Sequence, residues 1–102
     1  MRRFLPKPGE GPSEDVQHNG WFRSTFIAEA EDGEKKICSI YGSGDPGYKS
    51  TSKLVCESAL TLARSVNLPG GDDYGGVLTS AAGLGEELIN RLKEADIVFK
   101  VH

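Results

Sequence analysis

The apolar side chains of this sequence change their spacing along its length, and the changes delimit its elements. Residues 21–31 mix Trp21, Phe22, Phe26 and Ile27 with Thr25, the aromatic and β-branched blend that suits a pleated surface, and predict a strand. Residues 34–42, with Ile37, Cys38, Ile40 and Tyr41, predict a second, and the intervening Asp32-Gly33 reads as a tight hairpin turn. Phe22, Phe26, Ala28 and Ala30 fall on one face, Trp21 and Ile27 on the other, so both faces are expected to be partly covered. The period then becomes helical. Ser50 or Thr51 is placed to cap a helix to about residue 66, with Val55, Ala59, Leu62, Ala63 and Val66 on one stripe, and Asn67-Leu68-Pro69-Gly70 ends it. Val77-Leu78-Thr79 predicts a short strand or extended segment. Leu84, Leu88, Ile89 and Leu92 predict a second helix over about 85–94, and residues 97–101 a closing strand.

The expected fold is therefore α+β: a β-hairpin, helix, short strand, helix and strand, forming one mostly antiparallel or mixed sheet with two helices packed on it. Residues 21–102 would make this single domain. Residues 1–20 hold three of the five prolines and read as an extended Pro/Gly-rich arm. In it Pro6 and Pro8 force extended backbone, Ser13 caps a single turn carrying Glu14 and Asp15, and Gly20 ends that turn.

Composition sharpens this picture. With 13 glycines and 5 prolines among 102 residues, the core is thin. A chain of this size buries only roughly 60–70% of its unfolded surface, so a further covering surface is expected. Lys and Arg number 12 against 15 Asp and Glu, a net charge of -3, and no basic stripe offers the footprint that a phosphate backbone requires; nucleic acid is not an expected partner. No apolar run approaches the roughly 18 residues of a membrane span, and Arg2-Arg3 leads into Pro6-Lys7-Pro8 rather than an apolar leader. An intracellular chain is expected, with cytoplasmic and lipid-associated placements both open. Cys38 and Cys56 lack metal-site spacing and read as buried, reduced thiols.

The candidate chemistry is sparse. Gly42-Ser43-Gly44-Asp45-Pro46-Gly47 fits G-x-G-x-x-G between a strand and a helix, the context of a dinucleotide fingerprint. Pro46, however, deletes an N–H that a pyrophosphate would need, and Asp45 adds a repelling charge, so the loop reads as structural. The Glu29, Glu31, Asp32 and Glu34 group reads as a solvated turn, and Asp72-Asp73 lacks calcium-ligand spacing. His18 and His102 stand alone. No catalytic, cofactor-binding or metal residue is assigned. Lys7, Glu10 and Ser13 of the arm, Asp45 and Tyr48 of the loop, and Thr79 before the second helix are the candidates for lining a substrate cleft or holding it together, because binding groups concentrate on connections between elements.

The order of motifs carries a resemblance. Pro6-Lys7-Pro8-Gly9-Glu10-Gly11-Pro12-Ser13-Glu14, Gly20-Trp21-Phe22, Gly44-Asp45-Pro46-Gly47-Tyr48, Glu57-Ser58-Ala59-Leu60, Gly75-Gly76-Val77-Leu78-Thr79 and Gly85 together resemble the C-terminal portion of the saccharopine dehydrogenase-like oxidoreductases. Ser80 departs from the pattern, where that family more often has Pro. The resemblance implies an N-terminal Rossmann domain that binds NAD(P), followed by a second α/β domain to which this stretch corresponds. Its members include trans-acting enoyl reductases of bacterial lipid biosynthesis and a eukaryotic branch associated with lipid droplets or mitochondria. It implies a chain that supplies sheet, cleft wall or dimer contact, has no cofactor site of its own, and partners an N-terminal Rossmann domain or a second copy as a homodimer. The alternative expectation is a free-standing interaction module that pairs its sheet with another chain.

Overall fold

The computed structural model describes residues 9–69 and 75–102. Lys7 and the Asp72-Asp73 pair lie outside them. The elements, in order, are α1 (Glu14–Asn19), β1 (Trp21–Glu29), β2 (Lys35–Ser43), α2 (Lys49–Arg64), α3 (Ser80–Glu94) and β3 (Ile97–Val101). The strands form one antiparallel sheet in the order β1-β2-β3, so the α+β architecture is as the sequence indicates. No helix among the described residues is long and apolar enough to cross a membrane.

The hairpin forms with a longer connection than a two-residue Asp-Gly turn. Ala30 donates its N–H to Glu34 O at 2.9 Å, leaving a three-residue loop, Glu31-Asp32-Gly33. Asp32 Oδ1 accepts the Glu34 N–H at 3.0 Å, and Gly33 sits at φ +85°. A glycine at the left-handed position of a three-residue loop matches the twist of the flanking strands.

Register places Phe22, Gly42 and Ile97 in one row across the sheet, Ser24, Ile40 and Phe99 in the next, and Phe26, Cys38 and Val101 in a third. The helices cover the first two rows. Leu84, Leu88 and Leu92, at i, i+4 and i+8 of α3, are buried with Ile97, and Phe22, Ile40, Leu54, Leu68 and Phe99 pack around them. Gly42 lies at the centre of this contact: a Cβ there would meet the Phe22 ring and stand 2.9 Å from Ile97 Cδ1.

Four sequence expectations are corrected. Val77-Leu78-Thr79 pairs with no strand among the described residues; Val77 sits in a bend, and Thr79, extended, is the cap of α3, its Oγ1 accepting the Ala82 N–H at 3.2 Å. The helix accordingly begins one turn before residue 85, and Gly85, at φ 51° and ψ −136°, breaks its regularity. Only glycine suits that point, because a Cβ would lie 2.6 Å from Pro69 Cγ.

The second correction concerns the orientation of α2. Its inward residues are Ser50, Leu54, Glu57 and Thr61, whereas Val55 and Leu62 of the stripe that periodicity predicts as core are 62% and 67% exposed, and Val66, beyond the helix end at Arg64, is 85% exposed. Polar anchors set this rotation. Ser50 Oγ donates to Ser43 O and Gly44 O at 3.0 Å each, Lys53 Nζ donates to Ala95 O, and Glu57 Oε2 takes both Nε and Nη2 of Arg91 at 3.0 and 2.8 Å.

The third follows from the second: Cys56 is exposed on α2, and Cys38 is partly buried. The fourth is that the sheet face bearing Trp21 and Ile27 is open, these residues being 61% and 67% exposed. The accessible surface totals 8234 Å², where a compact monomer of 11.0 kDa would show about 5,600 Å².

Candidate functional site

The arm and the glycine loop meet at the head of α2. Ser13 caps α1, its Oγ accepting the Val16 N–H at 3.4 Å, and the turn ends at Gly20, as its sequence indicates. Gln17 ties the turn to the arm by donating from Nε2 to Pro12 O at 2.8 Å, and ties it to the loop by accepting the Asp45 N–H at its carbonyl, 3.1 Å away. Gly44 donates its N–H to Gly20 O at 2.6 Å. Tyr48 closes over Gly11, whose α-carbon lies so near that a Cβ would be 3.1 Å from the ring.

Asp45 is the pivot of this cluster. Its residue is buried, and its carboxylate accepts the Tyr48 N–H at Oδ2, 2.9 Å, and the Lys49 N–H at Oδ1, 3.0 Å. The bond from Lys49, with those from Tyr48 and Gly47 and the nearby Lys49 charge, holds the carboxyl below its ordinary value against the opposing effect of desolvation. The leading amides of α2, where a nucleotide phosphate would sit in a dinucleotide fold, are thus taken by the protein's own anion.

Of the residues singled out from sequence, Ser13, Asp45 and Tyr48 come together here, and Glu10 lies in the same arm. Thr79 stands apart at the head of α3, on the rim of a different cavity of about 320 Å³ lined by Leu62, Leu68, Leu78 and Leu84. Ser13 and Thr79 each cap a helix, and Asp45 accepts the Tyr48 and Lys49 amides at the head of a third. Among the described residues no group of three or more His, Cys, Asp or Glu is placed to hold a metal ion.

A second concave surface was not picked out from sequence. On the open face of the sheet, Arg23, Ser39, Tyr41, Val98, Lys100 and His102 line a cavity of about 300 Å³. Register explains how they meet: Arg23, Tyr41 and Val98 form one row across the three strands, and Thr25, Ser39 and Lys100 the next. Tyr41 is held by stacking on Trp21, centroids 6.1 Å apart and planes at 30°. Ser39 Oγ lies 3.2 Å from His102 Nε2, and the His102 N–H donates to Ile37 O at 2.8 Å. Ile27 and Ile37 extend the apolar surface toward the hairpin. The signal for this site is period-two alternation in β1, which puts Trp21, Arg23, Thr25 and Ile27 on one face, but its completion needs the register of β3, 61 residues away in the row that joins Ser39 to Lys100.

No protein-family model matches the chain, and no solved structure does. Curated proteins do. A Mycobacterium tuberculosis protein provisionally named a trans-acting enoyl reductase is 37% identical over 97 residues, 95% of this chain and 23% of its own length. Trans-acting enoyl reductases of Mycobacterium leprae and Mycobacterium ulcerans are 35% and 33% identical over 98 residues, 96% of this chain and again 23% of theirs. The chain is therefore similar, along nearly its whole length, to a stretch of trans-acting enoyl reductases that makes up under a quarter of each.

Proposed function

We propose that this chain is the C-terminal segment of an NAD(P)-dependent oxidoreductase of the trans-acting enoyl reductase type, within the broader saccharopine dehydrogenase-like group, and that it forms one wall of the substrate cleft. The cofactor would be held by an N-terminal Rossmann domain, and the chain would not reduce a substrate by itself. The observation that carries the reading is the pair of surfaces left without cover: the outer stripe Val55, Ala59 and Leu62 of α2, with Val66 just beyond the helix end, and the open sheet face. Within the helix the stripe follows i, i+4 and i+7 spacing and is wholly apolar, which suits permanent docking against the rest of a larger protein. The sheet face mixes aromatic rings with Arg23 and Lys100, as expected of a wall that meets a ligand rather than a core. The similarity to one stretch of much longer reductases supports the same reading.

The test is a chimera in which this chain replaces the matching stretch of the Mycobacterium leprae enzyme, assayed for NADPH-dependent reduction of an enoyl thioester beside the isolated chain. The expected result is activity in the chimera, none in the chain, and an isolated chain whose melting temperature ignores NADPH. A chimera that folds but cannot reduce the substrate, or an isolated chain that is monomeric, highly stable and indifferent to the rest of the reductase, would replace this reading with that of a free-standing interaction module.

A further inference from the structure

The open face of the sheet has a charge imbalance opposite in sign to that of the chain as a whole. The chain carries a net charge of -3, yet the strand positions on this face place Arg23 and Lys100 beside the same cavity with a single carboxylate, Glu29, at the far hairpin end. Glu29 is engaged by Lys35 at 3.0 Å. The other ion pairs of the described residues, Lys36 with Glu34 and Arg91 with Glu57, lie elsewhere, and among the described residues neither the Arg23 nor the Lys100 side chain has an ionic or hydrogen-bonding partner.

We propose that the cavity between Arg23 and Lys100 is an oxyanion site, taking the phosphate or carboxylate group of a ligand whose apolar body lies along Trp21, Tyr41 and Val98. The two cations approach from the two outer strands, β1 and β3, about 10 Å apart across β2. Between them β2 presents the hydroxyls of Ser39 and Tyr41, so an anion seated there meets charge on both flanks and neutral donors beneath. Arg supplies a planar fork and Lys a point charge, both suited to oxyanions. The floor is rigid: Ser39 is buried in the central strand, Tyr41 is stacked on Trp21, and His102 is fastened to Ile37. Aromatic rings adjoining a cationic pair fit a ligand with one charged end and one apolar body. This places anion recognition on the sheet, away from the glycine loop whose amides Asp45 occupies.

That the anion belongs to the reductase's substrate or cofactor rests on the cleft-wall reading above. The site itself does not, because it is complete within this chain. Titration of the 15N-labelled chain with inorganic phosphate, acetate and NADPH, followed through backbone amides, tests it. Saturable shifts centred on Arg23, Ser39, Tyr41 and Lys100 are expected, weakened about tenfold or more in Arg23→Gln and Lys100→Gln and unchanged in Arg64→Gln, a cation at the end of α2. Phosphate binding well above acetate assigns a phosphate ester, the reverse a carboxylate, and tighter saturation by NADPH at the same amides assigns the cofactor's own phosphate. If the chain fails to give a dispersed spectrum, the same three variants in the active chimera supply the readout: KM for the enoyl thioester or NADPH should rise with kcat little changed. Shifts that ignore the Arg23 and Lys100 substitutions, or KM values unaltered by them, would overturn the proposal. A failed chimera with intact anion shifts would reject the cleft wall and leave the site standing.

Discussion

Asp45 Oδ1 accepts the main-chain N–H of Lys49 at 3.0 Å, and this one bond fixes where the glycine loop ends and α2 begins. Asp45→Ala removes the acceptor for both Tyr48 and Lys49 and should lower the melting temperature by roughly 4–8 °C, the effect of losing a helix cap in a domain this size. Because the folded carboxyl sits below its ordinary value of 3.8, its contribution is complete at pH values above the unfolded value and is lost as the pH falls below about 4 toward the folded one. Wild type and Asp45→Ala should therefore converge in stability in acid, as thermal melts from pH 7 to pH 2 would register. A gap that persists at pH 2 would mean that the carboxylate's charge is not what holds the turn.

Gly42 is expected to tolerate no side chain. Its Cβ would enter the contact between Phe22 and Ile97, so Gly42→Ala should cost about 1–3 kcal/mol in urea unfolding, the usual cost of overpacking. Gly33→Asn is the comparison. Gly33 has φ +85° with nothing within 4 Å of an added Cβ, and Asn visits the left-handed region readily, so the change should stay within about 0.5 kcal/mol.

The outer stripe of α2 separates the isolated chain from the assembled protein. Val55→Ser together with Leu62→Ser should alter the chain's own unfolding free energy by about 0.5 kcal/mol or less, since both residues are already in water. In the chimera the same pair should destabilise by about 1.5–3 kcal/mol for each side chain withdrawn from cover. Equal effects in the two contexts would show that nothing docks on this stripe.

The ion pair between Glu57 and Arg91 joins α2 to α3 with side chains 21% and 28% exposed. A double-mutant cycle of Glu57→Gln and Arg91→Gln should return a coupling of about 1 kcal/mol, toward the upper end for pairs that water still reaches, and should shrink at 1 M salt. Coupling near zero would transfer the setting of α2 to Ser50 and Lys53.

The elements that local chemistry controls are legible in the residues. The hairpin, the closing strand and the leucine spacing of α3 are readable because period-two and period-3.6 patterns reflect which side chains a neighbouring surface must cover. The caps at Ser13 and the stop at Gly20 are readable because they are satisfied within a few residues. Asp45, read from sequence as a charge on the glycine loop, accepts the amides of Tyr48 and Lys49 at the head of α2.

Which face of α2 turns inward is set by contacts distant in the chain. Apolar periodicity favours Val55, Ala59, Leu62, Ala63 and Val66, but helical periodicity reports that a stripe is to be covered, not which body covers it. The bonds from Ser50 to the carbonyls of Ser43 and Gly44, and from Glu57 to Arg91, gave the inner face to polar residues and left the apolar one outward. The open sheet site was hidden for a related reason. Arg23, Ser39 and Lys100 lie on three strands, and their meeting depends on a register that no local stretch of sequence contains, since cross-strand neighbours are set by how the strands align rather than by their spacing along the chain.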